Sequence, residues 1–137
     1  ITAGTGGHMA GTTTLIKVHV LARTLARGQG VGSNTVMGRV RRLEGPLARD
    51  VVLYHDEIVV AEKTDRSFVP VLEHAAGLIT AQGGLGSHGY LLAAEQGLPA
   101  IVGADTIDAL HEGEWIVLDA REGVVVERQG MRTASAR

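Results

Sequence analysis

Gly83-Gly84-Leu85-Gly86-Ser87-His88-Gly89 is a glycine-rich loop that delivers one histidine to the start of a predicted helix. Before it, Gly77-Leu78-Ile79-Thr80 reads as a short buried strand ending in a polar residue. After it, Tyr90 to Gln96 is helix-compatible and stops at Gly97-Leu98-Pro99. A strand, a glycine loop and a helix N-terminus in that order make an anion site, because the first N–H groups of a helix have no partner within it. An imidazole placed there can attack or carry a phosphoryl group, since it is nucleophilic and titrates near neutrality. The plainer reading of the same residues makes His88 the first residue of a helix and Ser87 its cap.

Outward from this loop the pattern is mostly strand. Thr35 to Leu43 alternates Val36, Gly38 and Val40 against Met37, Arg39 and Arg41, a strand with one solvated face. Glu44-Gly45-Pro46 breaks the chain, and Val51 to Tyr54 reads as a run that extends that strand or pairs with it. Ile58-Val59-Val60-Ala61 is apolar throughout, as in a fully buried strand. Phe68, Val71, Leu72 and Ala75 recur at helical spacing over Phe68 to Ala76, with Asp65 or Ser67 as cap and Gly77 as stop. Ala100 to Gly103 predicts a strand and Thr106 to Leu110 a short helix. Trp115 to Leu118 and Val124 to Glu127 are strands of a hairpin turning at 119–123. The fold class is α/β, a mixed sheet with short helices packed on it.

Composition sets the bounds. The chain has 137 residues, enough for one domain with a fragment of a neighbour. Only 3% of residues are aromatic, so the core must come from Val, Leu, Ile and Ala. A net charge of −2 gives no electrostatic case for nucleic acid. With no cysteine, neither a disulfide nor a thiolate metal site is available. No apolar run reaches the roughly 18 residues of a membrane span and no signal-peptide order is present, so a cytoplasmic protein without membrane contact is expected.

The string from Leu78 through Gly83-Gly84-Leu85-Gly86-Ser87-His88 to Gly97-Leu98-Pro99-Ala100-Ile101-Val102-Gly103 resembles the mobile phosphohistidine domain of phosphoenolpyruvate-utilising enzymes. That family includes pyruvate phosphate dikinase, phosphoenolpyruvate synthase and the first enzyme of the sugar phosphotransferase system. The resemblance implies a swivelling three-layer β/β/α domain. It casts His88 as the phosphohistidine and Gly83, Gly84, Gly86, Ser87 and Gly89 as the phosphate-binding loop, with Ser87 and the N–H groups of Gly89 and Tyr90 reaching the phosphate oxygens. Two positions depart from the family. Gly86 stands where it has threonine, and Ala94 where an arginine is common six residues after the histidine. Gly89 and Tyr90 also replace the small apolar residues usual there, and the tyrosine would narrow the approach to a phosphate. On these grounds His88 reads as a relict.

Ile1-Thr2-Ala3-Gly4 followed by Gly11-Thr12-Thr13-Thr14-Leu15-Ile16-Lys17-Val18-His19 resembles the last hairpin of the allosteric domain of pyruvate kinase. Certain bacterial pyruvate kinases carry an extra C-terminal domain similar to the phosphohistidine domain, and Ala26 to Gly32 and Thr64-Asp65-Arg66 resemble it too. The expected layout is a hairpin remnant over 1–20, a linker over 21–32 that includes a short strand, the swivelling domain over 33–127 and a disordered tail over 128–137. The resemblance implies a structural or regulatory domain of an enzyme moving phosphoryl from phosphoenolpyruvate to ADP in glycolysis. The alternative is an active phosphocarrier phosphorylated on His88. No cofactor is expected in this piece, with Mg and K belonging to the parent enzyme. Expected partners are the rest of the chain, a phosphorylated small molecule and further copies in a homo-oligomer.

The remaining candidates read blandly. His55-Asp56-Glu57 groups three ligand types, but neighbours on a strand or turn point apart, so no metal site is expected. His74 is a surface or packing residue. Gly6 to Gly11 is a weak candidate for sugar-phosphate contact, and Leu15 to Val20 is an unpaired strand able to pair with another copy. Arg39, Arg41 and Arg42 read as a solvated face. Thr64-Asp65-Arg66 either caps a helix or lines the cleft of His88.

Overall fold

The structure is a computed structural model and describes residues 22–128. The expectations for the hairpin remnant, the Gly6–Gly11 turn, the pairing of Leu15 to Val20 and residues 129–137 of the tail lie outside the described residues. The strands are β1 (Thr24–Arg27), β2 (Gln29–Val31), β3 (Thr35–Arg42), β4 (Glu57–Ala61), β5 (Gly77–Thr80), β6 (Ala100–Val102), β7 (Trp115–Asp119) and β8 (Val124–Glu127), with helices α1 (Phe68–Leu72) and α2 (His88–Gln96). All eight strands join one sheet in the order β1-β8-β7-β3-β4-β5-β6-β2. β3, β4, β5 and β6 run parallel, and the remaining pairs are antiparallel. The parallel steps β4–β5 and β5–β6 are crossovers through α1 and α2.

The two outermost strands are joined in sequence by Gly28 alone. In a flat sheet of eight strands at about 4.8 Å spacing they would lie about 34 Å apart. The sheet therefore doubles back on itself, and Gly28 N donates to Gly123 O at 2.9 Å where it closes. The alternation in β4 shows the result. Ile58 and Val60 enter a core between the two halves of the sheet with Val40, Ile79, Ile116 and Leu118. Val59 and Ala61 face the helices with Phe68, Leu72, Leu92 and Ala93. This is the three-layer β/β/α arrangement, and β4 and β5 are buried on both faces.

Several local expectations change. The segment read as a linker with a short strand carries two strands of the sheet, 24–27 and 29–31, with Gly28 alone between them. Gly28 and Gly30 suggest a flexible segment, but they serve a close crossing of backbones: a Cβ on Gly30 would lie 1.7 Å from Ala120 O. Val51 to Tyr54 joins no ladder, and Val51 N donates to Ala48 O in a turn. Thr106 to Leu110 is a turn in which Thr106 Oγ1 accepts from Asp108 N. The carbonyls of Ile107 and Leu110 in that turn accept from Arg42 Nη1 at 2.8 and 2.5 Å. α1 stops at Leu72, where His74 N closes a tight turn on Val71 O. The arginines of β3 are all engaged: Arg39 with Asp56, Arg41 with Glu57, and Arg42 with those carbonyls.

Candidate functional site

α2 begins and ends as its sequence dictates. Ser87 is extended (φ −69°, ψ 168°) and its hydroxyl accepts from Tyr90 N at 3.3 Å. Gly97 closes the helix in the left-handed region at φ 65°. His88 is thus the first helical residue, as both readings of the motif require. Gly83 (φ 118°) and Gly86 (φ 84°) bend the preceding loop through left-handed backbone. Gly89 is buried against Thr64, Thr80 and Val102, where little more than a Cβ fits.

The histidine has a partner from a distant segment. Thr64 Oγ1 lies 2.7 Å from His88 Nδ1. Parallel pairing continues past the strand ends, with Ala81 N donating to Ala61 O at 3.1 Å and Gln82 N to Glu62 O at 2.8 Å. That pairing sets the 62–64 turn beside the helix start. With Nδ1 engaged, Nε2 is the nitrogen open to an electrophile, and it holds its lone pair when Nδ1–H donates to the threonine oxygen. Sequence reading placed Thr64 only as a residue lining the cleft, since 24 positions separate the pair.

The donors expected to cradle a phosphate are partly spent on the fold. Ser87 Oγ and Tyr90 N are bonded to each other, which leaves the N–H of Gly89 as the expected donor still available. Tyr90 does not narrow the approach, because its side chain packs on the core between sheet and helices. Ala94 is exposed and supplies no charge. The Gly86 departure has a backbone cause, since threonine is strained at φ 84°. Gly86→Thr should lower folding stability by about 1–2 kcal/mol in a urea titration, rather than simply restore a missing hydroxyl.

Asp65 adjoins this pair. Its carboxylate accepts from Ser67 N at 2.8 Å and from the Ser67 hydroxyl, and Ser67 Oγ in turn accepts from Leu47 N at 2.7 Å. The Ser67 hydroxyl, then the Ser67 amide, with smaller help from His88 and Lys63, hold the Asp65 carboxyl below its ordinary value of 3.8, against the opposing effect of desolvation. A lowered folded-state value stabilises the fold above the unfolded value and loses that contribution as pH falls through the folded one. Asp65→Asn should therefore flatten the decline of stability below about pH 4, measured as melting temperature against pH.

Beside Asp65 a cavity of about 480 Å³ opens at the carboxyl ends of β3 and β4, a common ligand position in α/β sheets. Glu44, Glu62 and Asp65 line it against Lys63 and an Arg42 already bonded to carbonyls, so it does not suit a phosphate. His55-Asp56-Glu57 forms no metal site. Arg39 grips Asp56 in two bonds of 2.9 and 3.2 Å between the rings of Tyr54 and Trp115, and Glu57 pairs with Arg41 at 3.1 Å. Among the described residues no three ligating side chains converge, and no helix is long and apolar enough to cross a membrane.

Comparison with known proteins gives one family, described as "PEP-utilising enzyme, mobile domain", over residues 53–123. A pyruvate kinase of Sporosarcina psychrophila is 41% identical over 91% of this chain and 22% of that protein. One of Bacillus licheniformis is 39% identical over 91% of the chain and 21% of that protein. The chain thus spans about a fifth of the length of the curated relatives it matches. Among solved structures, a UPF0107 protein superposes with TM-score 0.59 at 13% identity, over 78% of this chain and all of that one. An Enzyme I structure does so with TM-score 0.50 at 24% identity, over 63% of this chain and 36% of that one. These two likenesses concern the fold.

Proposed function

Because the chain belongs to the family of mobile domains of PEP-utilising enzymes, we propose that it is the extra C-terminal domain of a pyruvate kinase and serves that enzyme's assembly, stability or regulation. The homology to pyruvate kinases supports the parent. The role rests on the surroundings of His88: its ring meets a threonine hydroxyl, the neighbouring charge is the Asp65 carboxylate, and the helix below offers Ala94 in place of a cation. A phosphorylated imidazole there would have a carboxylate as neighbour and would lack the charge-assisted bonds that an arginine at position 94 would give. The parent enzyme would move phosphoryl from phosphoenolpyruvate to ADP in cytoplasmic glycolysis, as a homo-oligomer. Its Mg and K would be held by other domains.

The second reading, a phosphocarrier, is favoured by the Thr64–His88 bond, which orients the ring and frees Nε2. In it the Nε2 lone pair attacks phosphorus, the P–O bond to the enol oxygen breaks, and the enolate leaves to take up a proton as pyruvate. One assay separates the two. The protein is incubated with labelled phosphoenolpyruvate or ATP and its partner domain, and acid-labile phosphate is measured. The structural role predicts no stoichiometric label. Label that disappears in His88→Ala and drops at least tenfold in Thr64→Val would establish the carrier instead.

A further inference from the structure

We infer that the groove between α1 and the 47–53 segment is a docking site for an amphipathic helix of a protein partner whose apolar face is bordered by carboxylates. The groove has a volume of about 950 Å³, with Leu53 and Val71 in its floor and Arg49, Arg66 and His74 at its rim. Among the described residues no carboxylate lines it. The guanidinium groups of Arg49 and Arg66 make no hydrogen bond or ion pair with any described residue, whereas the side chain of every arginine of β3 is engaged. Two unpaired guanidiniums flanking apolar ground select acidic groups, which they can grip in bidentate fashion.

The shape selects a polypeptide. Val52 on the groove wall is 69% exposed, and Tyr54 (64%) and Val69, next in sequence to lining residues, are exposed apolar side chains outside it. A small molecule would leave that surface wet, while specific sites for such ligands bury most of the ligand. An added strand has little to pair with, because 51–54 joins no ladder, Val51 N is bonded to Ala48 O and Val52 O accepts from Arg41. A helix laid into the groove needs only apolar anchors at one-turn spacing and acidic flanks. This inference does not depend on the chemistry of His88.

The test titrates the isotope-labelled 137-residue chain with synthetic peptides long enough to form helix, about 18 residues, carrying leucines on one face and glutamates on the other, or lysines in place of the glutamates. The glutamate peptide should give saturable amide shifts at Val51, Leu53, Arg66 and Val71, weaken as salt is raised, and bind at least tenfold tighter than the lysine peptide. The doubly reversed variant Arg49→Glu/Arg66→Glu should invert that preference. Arg49→Gln/Arg66→Gln should abolish it while the spectrum stays that of the folded chain. Equal affinity for both peptides, shifts elsewhere, or no saturation at millimolar peptide would overturn the inference. So would binding of a small aromatic sulfonate at the groove without any peptide response.

Discussion

Gly30→Ala is expected to cost about 3 kcal/mol or more of folding stability, a large effect for adding one methyl group to a strand at the end of the sheet. The added Cβ would fall 1.7 Å from Ala120 O and 2.8 Å from its carbonyl carbon, and neither is a flexible side-chain tip that can swing away. Ala120 follows β7, its N–H donates to Asn34 O at 3.0 Å, and Gly123 O beyond it accepts from Gly28 at 2.9 Å. Relief would have to part β1–β2 from the 120–123 turn, which is where the sheet closes. The inter-sheet core of Ile58, Ile79, Ile116 and Leu118 would then open to water. Gly84→Ala is the matched control, because its Cβ meets nothing within 4 Å and its φ is not in the left-handed range. It should unfold within about 0.5 kcal/mol of the parent protein in urea. Equal midpoints for the two variants would mean that the crossing at Gly30 yields easily and does not hold the layers together.

That crossing also shows what the sequence could and could not convey. Gly28 and Gly30 carry the same local signal as flexible glycines, and only the contact with Ala120, some ninety positions away, distinguishes a crossing from a linker. The motif around His88 was legible because its information is local: an extended serine cap, left-handed glycines and a terminating Gly97 act within a few residues. β4, β5 and β6 were legible because strands buried on both faces carry unbroken apolar runs, 58–61, 77–79 and 100–102. The Thr64–His88 bond was not, since it depends on β4 and β5 pairing in parallel register. Nor was the pairing of the β3 arginines, whose alternation with apolar residues looks the same whether the charges meet water or carboxylates. Tyr90 was misjudged for a related reason. In the first turn of a helix its direction depends on where the sheet lies, and the side chain packs on the core between sheet and helices.

Phe68→Ala should destabilise the protein by about 3–5 kcal/mol and should release Thr64 from His88 at denaturant levels where the sheet remains folded. Phe68 is fully buried, the largest such side chain, in the core between helices and sheet. Its ring fills the space left by Gly45, where a Cβ would come within 2.9 Å of it. α1 has little else to hold it. It is five residues long, Ser67 gives it no side-chain cap, and Val69 and Val71 are poor helix formers. Pro70 is tolerated because it lies in the first turn, where its missing N–H would have found no partner. The helix therefore exists because Phe68, Val71 and Leu72 are buried, and the 64–67 turn is placed by the same burial through the Phe68 N–Asp65 O bond of 3.0 Å. Removing the ring should loosen α1, that turn and the Leu47 N–Ser67 bond together. Amide exchange read residue by residue checks this, with protection falling first at 47 and 65–72 and later at Ile58 to Val60. Val69→Ala, on the exposed side of the same helix, should stay within about 0.5 kcal/mol of the parent. Uniform loss of protection across sheet and helix in Phe68→Ala would mean that α1 is welded to the sheet, and that the placement of His88's partner is as stable as the fold itself.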